Sequence, residues 1–267
     1  MSKNKPRKIL IFLFFSLTFV LVLAFIAFTA DRVGNKKELN RLKAQDFEFN
    51  HSLGIIADNG FEGNKRNSYI SIKKTLNLGC DGALVDLSFK DNTIPVLASK
   101  PKQAEKENVV ELEHVMKYYT NYSKSLLCLN LKEFSNLSAI VSLAAKYELT
   151  ERILYFGIDS DSADFVKRKN PDIDFYFEIK PQRNKETTED YAYSFIQEAQ
   201  ALGAVGISCR ADLMNESLAQ YINESGLSLA LITKGDELGH YKALSYSPLF
   251  IITKQPQEFY NLLKRIN

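Results

Sequence analysis

The sequence predicts an α/β fold, a (β/α)8 TIM barrel preceded by one N-terminal transmembrane helix. Two observations carry this. From Leu53 to the C-terminus, eight short apolar runs alternate with segments of 3.6-residue apolar periodicity. Ahead of them, residues 9–30 contain no charge. As a helix rising 1.5 Å per residue that stretch is about 33 Å long, enough to cross a hydrocarbon core of about 30 Å.

Residues 1–8 form a basic tail with Lys3, Lys5, Arg7 and Lys8. Its charge predicts a cytoplasmic N-terminus and an extracytoplasmic barrel in a single-pass membrane protein. A cleaved signal peptide would have a shorter apolar region and small residues before the cut, yet Phe28 stands three positions before Asp31. Residues 31–50 are charged and polar and read as a juxtamembrane linker, and residues 51–267 as the barrel.

Within the barrel, strands are expected over 53–58, 82–88, 125–131, 152–158, 174–179, 204–209, 227–233 and 249–253. Helices are expected over 67–78, 111–121, 136–147, 160–169, 188–202, 214–225, 235–244 and 256–265. Runs such as Leu126–Leu129 and Leu249–Ile252 are continuously apolar, as strands covered on both faces are. Asn136, Ser160 and Asn215 stand where N-caps belong, and Gly79, Gly203 and Gly226 follow the helix ends. A doubly wound sheet would need a glycine-rich phosphate turn after its first strand, and Gly60 and Gly63 are too sparse for one. Residues 93–110 are an insertion, extended over Thr93–Ala98 and then highly charged, on the face where barrel active sites lie.

A net charge of +2 gives no basic excess for nucleic acid. Cys80, Cys128 and Cys209 lie beside or within apolar runs, match no zinc spacing, and read as buried core residues. The histidines are three: His51, His114 and His240.

In such a barrel the ligand meets the strand ends, and period-2 alternation decides which residues share a face. Leu84, Asp86 and Ser88 share one, Asn130 and Lys132 another, and Tyr176, Glu178 and Lys180 a third. Asp58 ends the first strand, and later ends carry Ser208 and Arg210, then Ile232 and Lys234, then Ile252 and Lys254. The predicted mouth therefore sets Asp58, Asp86 and Glu178 against Lys132, Lys180, Arg210, Lys234 and Lys254. A rim with more bases than acids favours an anionic ligand.

The segment Ile56-Ala57-Asp58-Asn59-Gly60, then Arg66-Asn67-Ser68, then Gly79 to Leu87, Asp91-Asn92, Pro95-Val96 and Ser99-Lys100 resembles the opening of the glycerophosphodiester phosphodiesterases. That family, one of the phospholipase-C-like phosphodiesterase barrels, reads I-A-H-R-G, E-N-T, G-A-D-x-I-E-x-D-V and D-G-x-P-V-x-x-H-D. The closing Ile251-Ile252-Thr253-Lys254-Gln255-Pro256 is similar to the family's I-I-T-D-x-P. The resemblance implies a barrel in which two histidines act as general acid and base and acids hold a divalent cation. Here the histidine positions hold Asp58 and Ser99, and the arginine position holds Asn59. The glutamates are replaced by Leu84 and Asn130 and the closing aspartate by Lys254, while Asp86 and Lys132 are kept.

General acid–base catalysis contributes about 10²- to 10⁴-fold, and a metal adds more. The expectation is thus a catalytically inactive relative that binds a phosphate-bearing anion or a protein partner at its mouth, with no cofactor. The competing expectation is a phosphoric diester hydrolase acting on glycerophosphodiesters or lipid head groups through a rearranged, calcium- or magnesium-dependent site.

Overall fold

In a computed structural model, residues 5–47, 49, 51–60, 65–169, 172–182 and 188–266 are described. Residues 1–4 of the predicted basic tail lie outside them. The chain divides into two units, Met1–Gln45 and Asp46–Asn267.

The first unit is helix α1 (Lys5–Lys43). Among the described residues it is the one helix long and apolar enough to cross a membrane, over Ser16–Lys43. Over the apolar part of the helix from Ser16 on, Leu17, Phe19, Phe25 and Phe28 are among the exposed side chains, which suits a lipid solvent. The predicted linker over 31–50 is helical as far as Lys43. Lys, Glu, Leu and Arg favour helix, no proline interrupts them, and Asn35 donates to the Asp31 carboxylate one turn back at 3.3 Å.

The second unit runs β1 (Gly54–Asp58), α2 (Tyr69–Leu78), β2 (Gly82–Lys90), β3 (Ile94–Leu97), α3 (Pro101–Ala104) and α4 (Leu112–Tyr119). It continues through β4 (Leu126–Leu131), α5 (Leu137–Lys146), β5 (Ile153–Ile158), α6 (Ser160–Lys169), β6 (Phe175–Glu178) and α7 (Glu189–Ala201). The last six elements are β7 (Gly206–Arg210), α8 (Glu216–Glu224), β8 (Ser228–Ile232), α9 (Glu237–Ser245), β9 (Phe250–Thr253) and α10 (Pro256–Ile266). Strands β1, β2 and β4–β9 are parallel, and β1 closes the barrel by pairing with both β2 and β9, Ile56 opposite Gly82 and Gly54 opposite Phe250. The insertion after β2 folds back as β3, antiparallel to β2 with Leu87 opposite Leu97, and continues into the short α3.

The predicted parity holds around the ring. Ile56, Leu84, Cys128, Phe156, Tyr176, Ala230 and Ile252 meet in one buried interior cluster, and each fully buried large apolar side chain contributes about 1.5–3 kcal/mol. Phe156 and Tyr176 stack with centroids 4.9 Å apart, and Tyr176 satisfies its hydroxyl on Ser228 at 2.8 Å. Gly206 leaves the room that ring needs, because a Cβ there would lie 2.5 Å from it. Side chains two residues further along each strand then reach the C-terminal mouth.

Local chemistry sets the helix ends. Asn136 and Asn215 cap α5 and α8 through their side chains, and Gly79 ends α2 in a left-handed conformation. Ser160 does not cap α6; it is that helix's first residue, and the turn is closed by Asp159, whose carbonyl accepts from Ala163 N and whose carboxylate accepts from Ser162 Oγ. Ser162 Oγ in turn accepts from the Asp159 N–H at 3.0 Å.

Candidate functional site at the barrel mouth

Asp86 is the most heavily partnered side chain at the mouth. It is 6% exposed, midway along β2 and near the end of that strand's pairing with β4. Its Oδ1 accepts from Asn130 Nδ2 at 2.7 Å and lies 3.3 Å from Lys132 Nζ. Its Oδ2 accepts from Ser99 Oγ at 2.5 Å and Asn67 Nδ2 at 3.3 Å. Asn67 holds a left-handed backbone at φ 52° just before α2. From there its side chain reaches β2, accepting from the Asp86 N–H at 3.0 Å, and donates to Ser99 Oγ at 3.0 Å. Asn130 has space beside β5 because Gly157 follows at φ 74°; a Cβ there would lie 2.6 Å from Asn130 Oδ1.

Asp58, at the end of the neighbouring strand β1, forms a second corner. Its Oδ1 accepts from Asn59 Nδ2 at 2.5 Å, and its Oδ2 lies 3.9 Å from Lys254 Nζ and 4.0 Å from Arg66 Nη2. Burial pushes the Asp58 carboxyl above the usual carboxylate range, against the lowering pull of Lys254 and Arg66. Asn59, at φ 60°, keeps a buried Oδ1 without a partner.

The remaining predicted bases meet Glu178 at the end of β6 and acids supplied by loops. Lys180 lies 3.4 Å from Glu178 and 3.5 Å from Asp159. Arg210 grips Asp212 with both Nε and Nη2, at 2.9 and 2.6 Å, and Lys234 reaches the same carboxylate at 3.5 Å. The Arg210 guanidinium holds the Asp212 carboxyl below its usual range. Five bases predicted for the mouth are thus all ion-paired. With Arg66, Asp159 and Asp212 included, six bases face five acids, a smaller excess than the strand ends alone implied.

Sequence reasoning did not assign roles to Arg66, Asn67, Asp159 and Asp212. Asp212 follows Arg210 by two residues, so continuing the strand parity past the strand end would have found it. Asn67 sits at the asparagine of the E-N-T pattern. Beside the mouth, Arg66, Asn67, Ser99, Gln103, Lys106 and Val109 line a cleft of about 1000 Å³ formed by the insertion.

Neither histidines nor cysteines serve this site. His51 bonds the Pro248 carbonyl at 3.0 Å, His114 lies on the outer helix α4, and His240 is buried against Thr253 Oγ1 at 2.8 Å. All three thiols are buried, and burial pushes those of Cys80 and Cys209 up to about 12. A calcium ion takes about six to eight oxygen ligands, whereas magnesium keeps several waters and is held through one or two carboxylates. Among the described residues no three His, Cys, Asp or Glu side chains converge. Asp86 has both oxygens committed, and Leu84 is sealed into the interior cluster.

No protein-family model and no curated protein matches the chain. Solved structures do. A glycerophosphodiester phosphodiesterase from Parabacteroides distasonis is 18% identical, with a TM-score of 0.64 over 80% of this chain and 97% of that one. The fold is that of the glycerophosphodiester phosphodiesterases. One from Agrobacterium tumefaciens, 11% identical, matches with a TM-score of 0.65 over 80% of this chain and 100% of its own. A phosphodiesterase from Oleispira antarctica in complex with the product sn-glycerol-3-phosphate is 14% identical, with a TM-score of 0.64 over 79% and 96%. On the glycerophosphodiester phosphodiesterase fold, Asp58, Asp86, Asn130 and Lys254 of this chain all stand at the mouth.

Proposed function

We propose that this protein is a membrane-anchored barrel that keeps the glycerophosphodiester phosphodiesterase scaffold without its hydrolysis, and that its mouth holds an anionic, phosphate-bearing ligand. Residues 9–30 are the anchor, the N-terminus is cytoplasmic and the barrel extracytoplasmic. The observation that carries the reading is the state of Asp86, whose two oxygens are taken up by Asn67, Ser99, Asn130 and Lys132. A metal at that carboxylate would have to displace one of these donors. General acid–base catalysis needs a donor and an acceptor matched across the scissile bond, and Asp58 has no such counterpart because Ser99 is engaged with Asp86. Lys132, Lys254 and Arg66 supply positive charge where the phosphodiesterase resemblance implies a cation, and one structure of this fold holds a glycerol phosphate.

The test is an assay of the detergent-solubilised protein with glycerophosphocholine and an aryl phosphodiester, with and without calcium or magnesium. No turnover is expected under either condition. Turnover abolished by a chelator would refute the reading in favour of a rearranged hydrolase. Millimolar glycerol phosphate is expected to raise the melting temperature, and no shift would point to a protein partner instead. The mature mass is expected to include residues 1–30.

A further inference from the structure

The Asp58 corner differs from every other charged cluster at the mouth. Arg210 and Asp212 form a closed bidentate pair, and Asp86 is ringed by donors. Asp58 Oδ2 instead faces two cations, Lys254 at 3.9 Å and Arg66 at 4.0 Å, neither close enough to hydrogen-bond it. The carboxyl side chain is 10% exposed, whereas those of Arg66 and Lys254 are 60% and 48% exposed. A buried acid thus lies beneath two cations that open to solvent.

We propose that this corner is a proton-coupled site for a tetrahedral oxyanion carried by a water-soluble phosphate monoester. On taking a proton from solvent, Asp58 releases Lys254 and Arg66 and adds its own Oδ2–H to them as a third donor. The proposal rests on the reading that the mouth takes an anion, and names the residues and the condition. With Asp58 ionised, an oxyanion between the two cations meets a like charge at close range in a partly buried corner, where such repulsion is poorly screened. With Asp58 neutral, the same position has two positive groups and a hydrogen-bond donor.

The charged groups around Asp58 come from four elements. Lys254 follows β9, Arg66 lies in the β1–α2 loop, Asp86 is on β2 and Lys132 follows β4. Burial and Asp86 favour the protonated form, and the three cations oppose it. An arriving oxyanion engages the cations and adds a negative charge, so it shifts Asp58 further towards protonation. Binding and proton uptake are therefore linked, and affinity rises as pH falls.

Sulfate is the suitable probe, since it does not itself titrate between pH 5.5 and 7.5. The intact protein in detergent is titrated with sulfate by calorimetry at both pH values, in two buffers of different ionisation enthalpy. Wild-type affinity is expected to rise about tenfold or more on acidification, with net proton uptake. Asp58→Asn, neutral at both pH values, is expected to bind at pH 7.5 at least as tightly as wild type at pH 5.5, without proton uptake. Lys254→Gln is expected to weaken sulfate binding about tenfold or more at pH 5.5, a second test of the site that leaves Asp58 in place. Sulfate binding that ignores pH in wild type, or changes equally with pH in wild type and Asp58→Asn, overturns the proton-coupled site and leaves the anion-binding mouth standing. Absence of binding by either protein, for sulfate and glycerol phosphate alike, sinks both. Tightening seen only with phosphatidate-containing vesicles refutes the water-soluble ligand.

Discussion

His240 sets an acid limit on the stability of this barrel. The residue is 1% exposed on α9, its Nε2 lies 2.8 Å from Thr253 Oγ1, and its ring packs against Phe259 at 4.8 Å. The Thr253 hydroxyl oxygen also accepts from Gln255 N–H at 3.1 Å, which fits the hydroxyl donating its proton to the imidazole. An imidazolium would place a charge and an unwanted donor in that space. Burial lowers the His240 pKa from 6.5 to about 4, outweighing the opposing pull of Asp236 and Glu237.

A histidine depressed in the folded state is neutral there, while the unfolded chain takes the proton. Its contribution is therefore fully present above about pH 6.5 and is lost as pH falls towards 4. At about 1.4 kcal/mol per tenfold change in proton affinity, the whole difference is about 3 kcal/mol, of which about 2.5 kcal/mol is lost by pH 4.5. That is a large share of a typical stability of about 5–15 kcal/mol. Asp58 works in the opposite sense, because its raised carboxyl favours the folded state on acidification, so the His240 effect is read as a difference between proteins. Urea unfolding is followed by circular dichroism, the chain having no tryptophan, at pH 7 and 4.5 for wild type and His240→Gln. Wild type is expected to lose about 2.5 kcal/mol more than the variant between the two pH values. Equal losses would refute the assignment of the acid limit to His240.

Asn67→Ala removes the acceptor of the Asp86 N–H and one donor to its carboxylate; a stability loss of about 1–3 kcal/mol is expected in the same urea assay, and no loss would show the loop to be held otherwise. Gly157→Ala forces a Cβ to within 2.6 Å of Asn130 Oδ1 and 2.7 Å of the Leu131 carbonyl at φ 74°; it is expected to destabilise by about 1–3 kcal/mol, against less than about 0.5 kcal/mol at a surface position free of such contacts.

Much of the scaffold was legible because it rests on local rules. The 3.6 and 2.0 periodicities marked every parallel strand and its helix, and counting by twos put Asp86, Asn130, Glu178 and Lys254 on the inward face before any register was known. The membrane-length run over 9–30 needed only hydropathy. The chain's departures at Asp58, Leu84 and Ser99 were likewise visible as residue types in a familiar spacing. What the sequence could not supply was the state of those groups. That Asp58 shares its oxygen between Arg66 and Lys254 depends on β1 pairing with β9, a contact between the two ends of the domain. That Arg210 and Lys234 both reach Asp212 depends on β7 lying beside β8. Asp86 became a saturated carboxylate only when Asn67, Ser99 and Asn130, from three separate loops and strands, closed around it. Residue type and period are properties of a short stretch of chain. Charge compensation, desolvation and hydrogen-bond saturation depend on distances between stretches, and those were fixed by closure of the barrel.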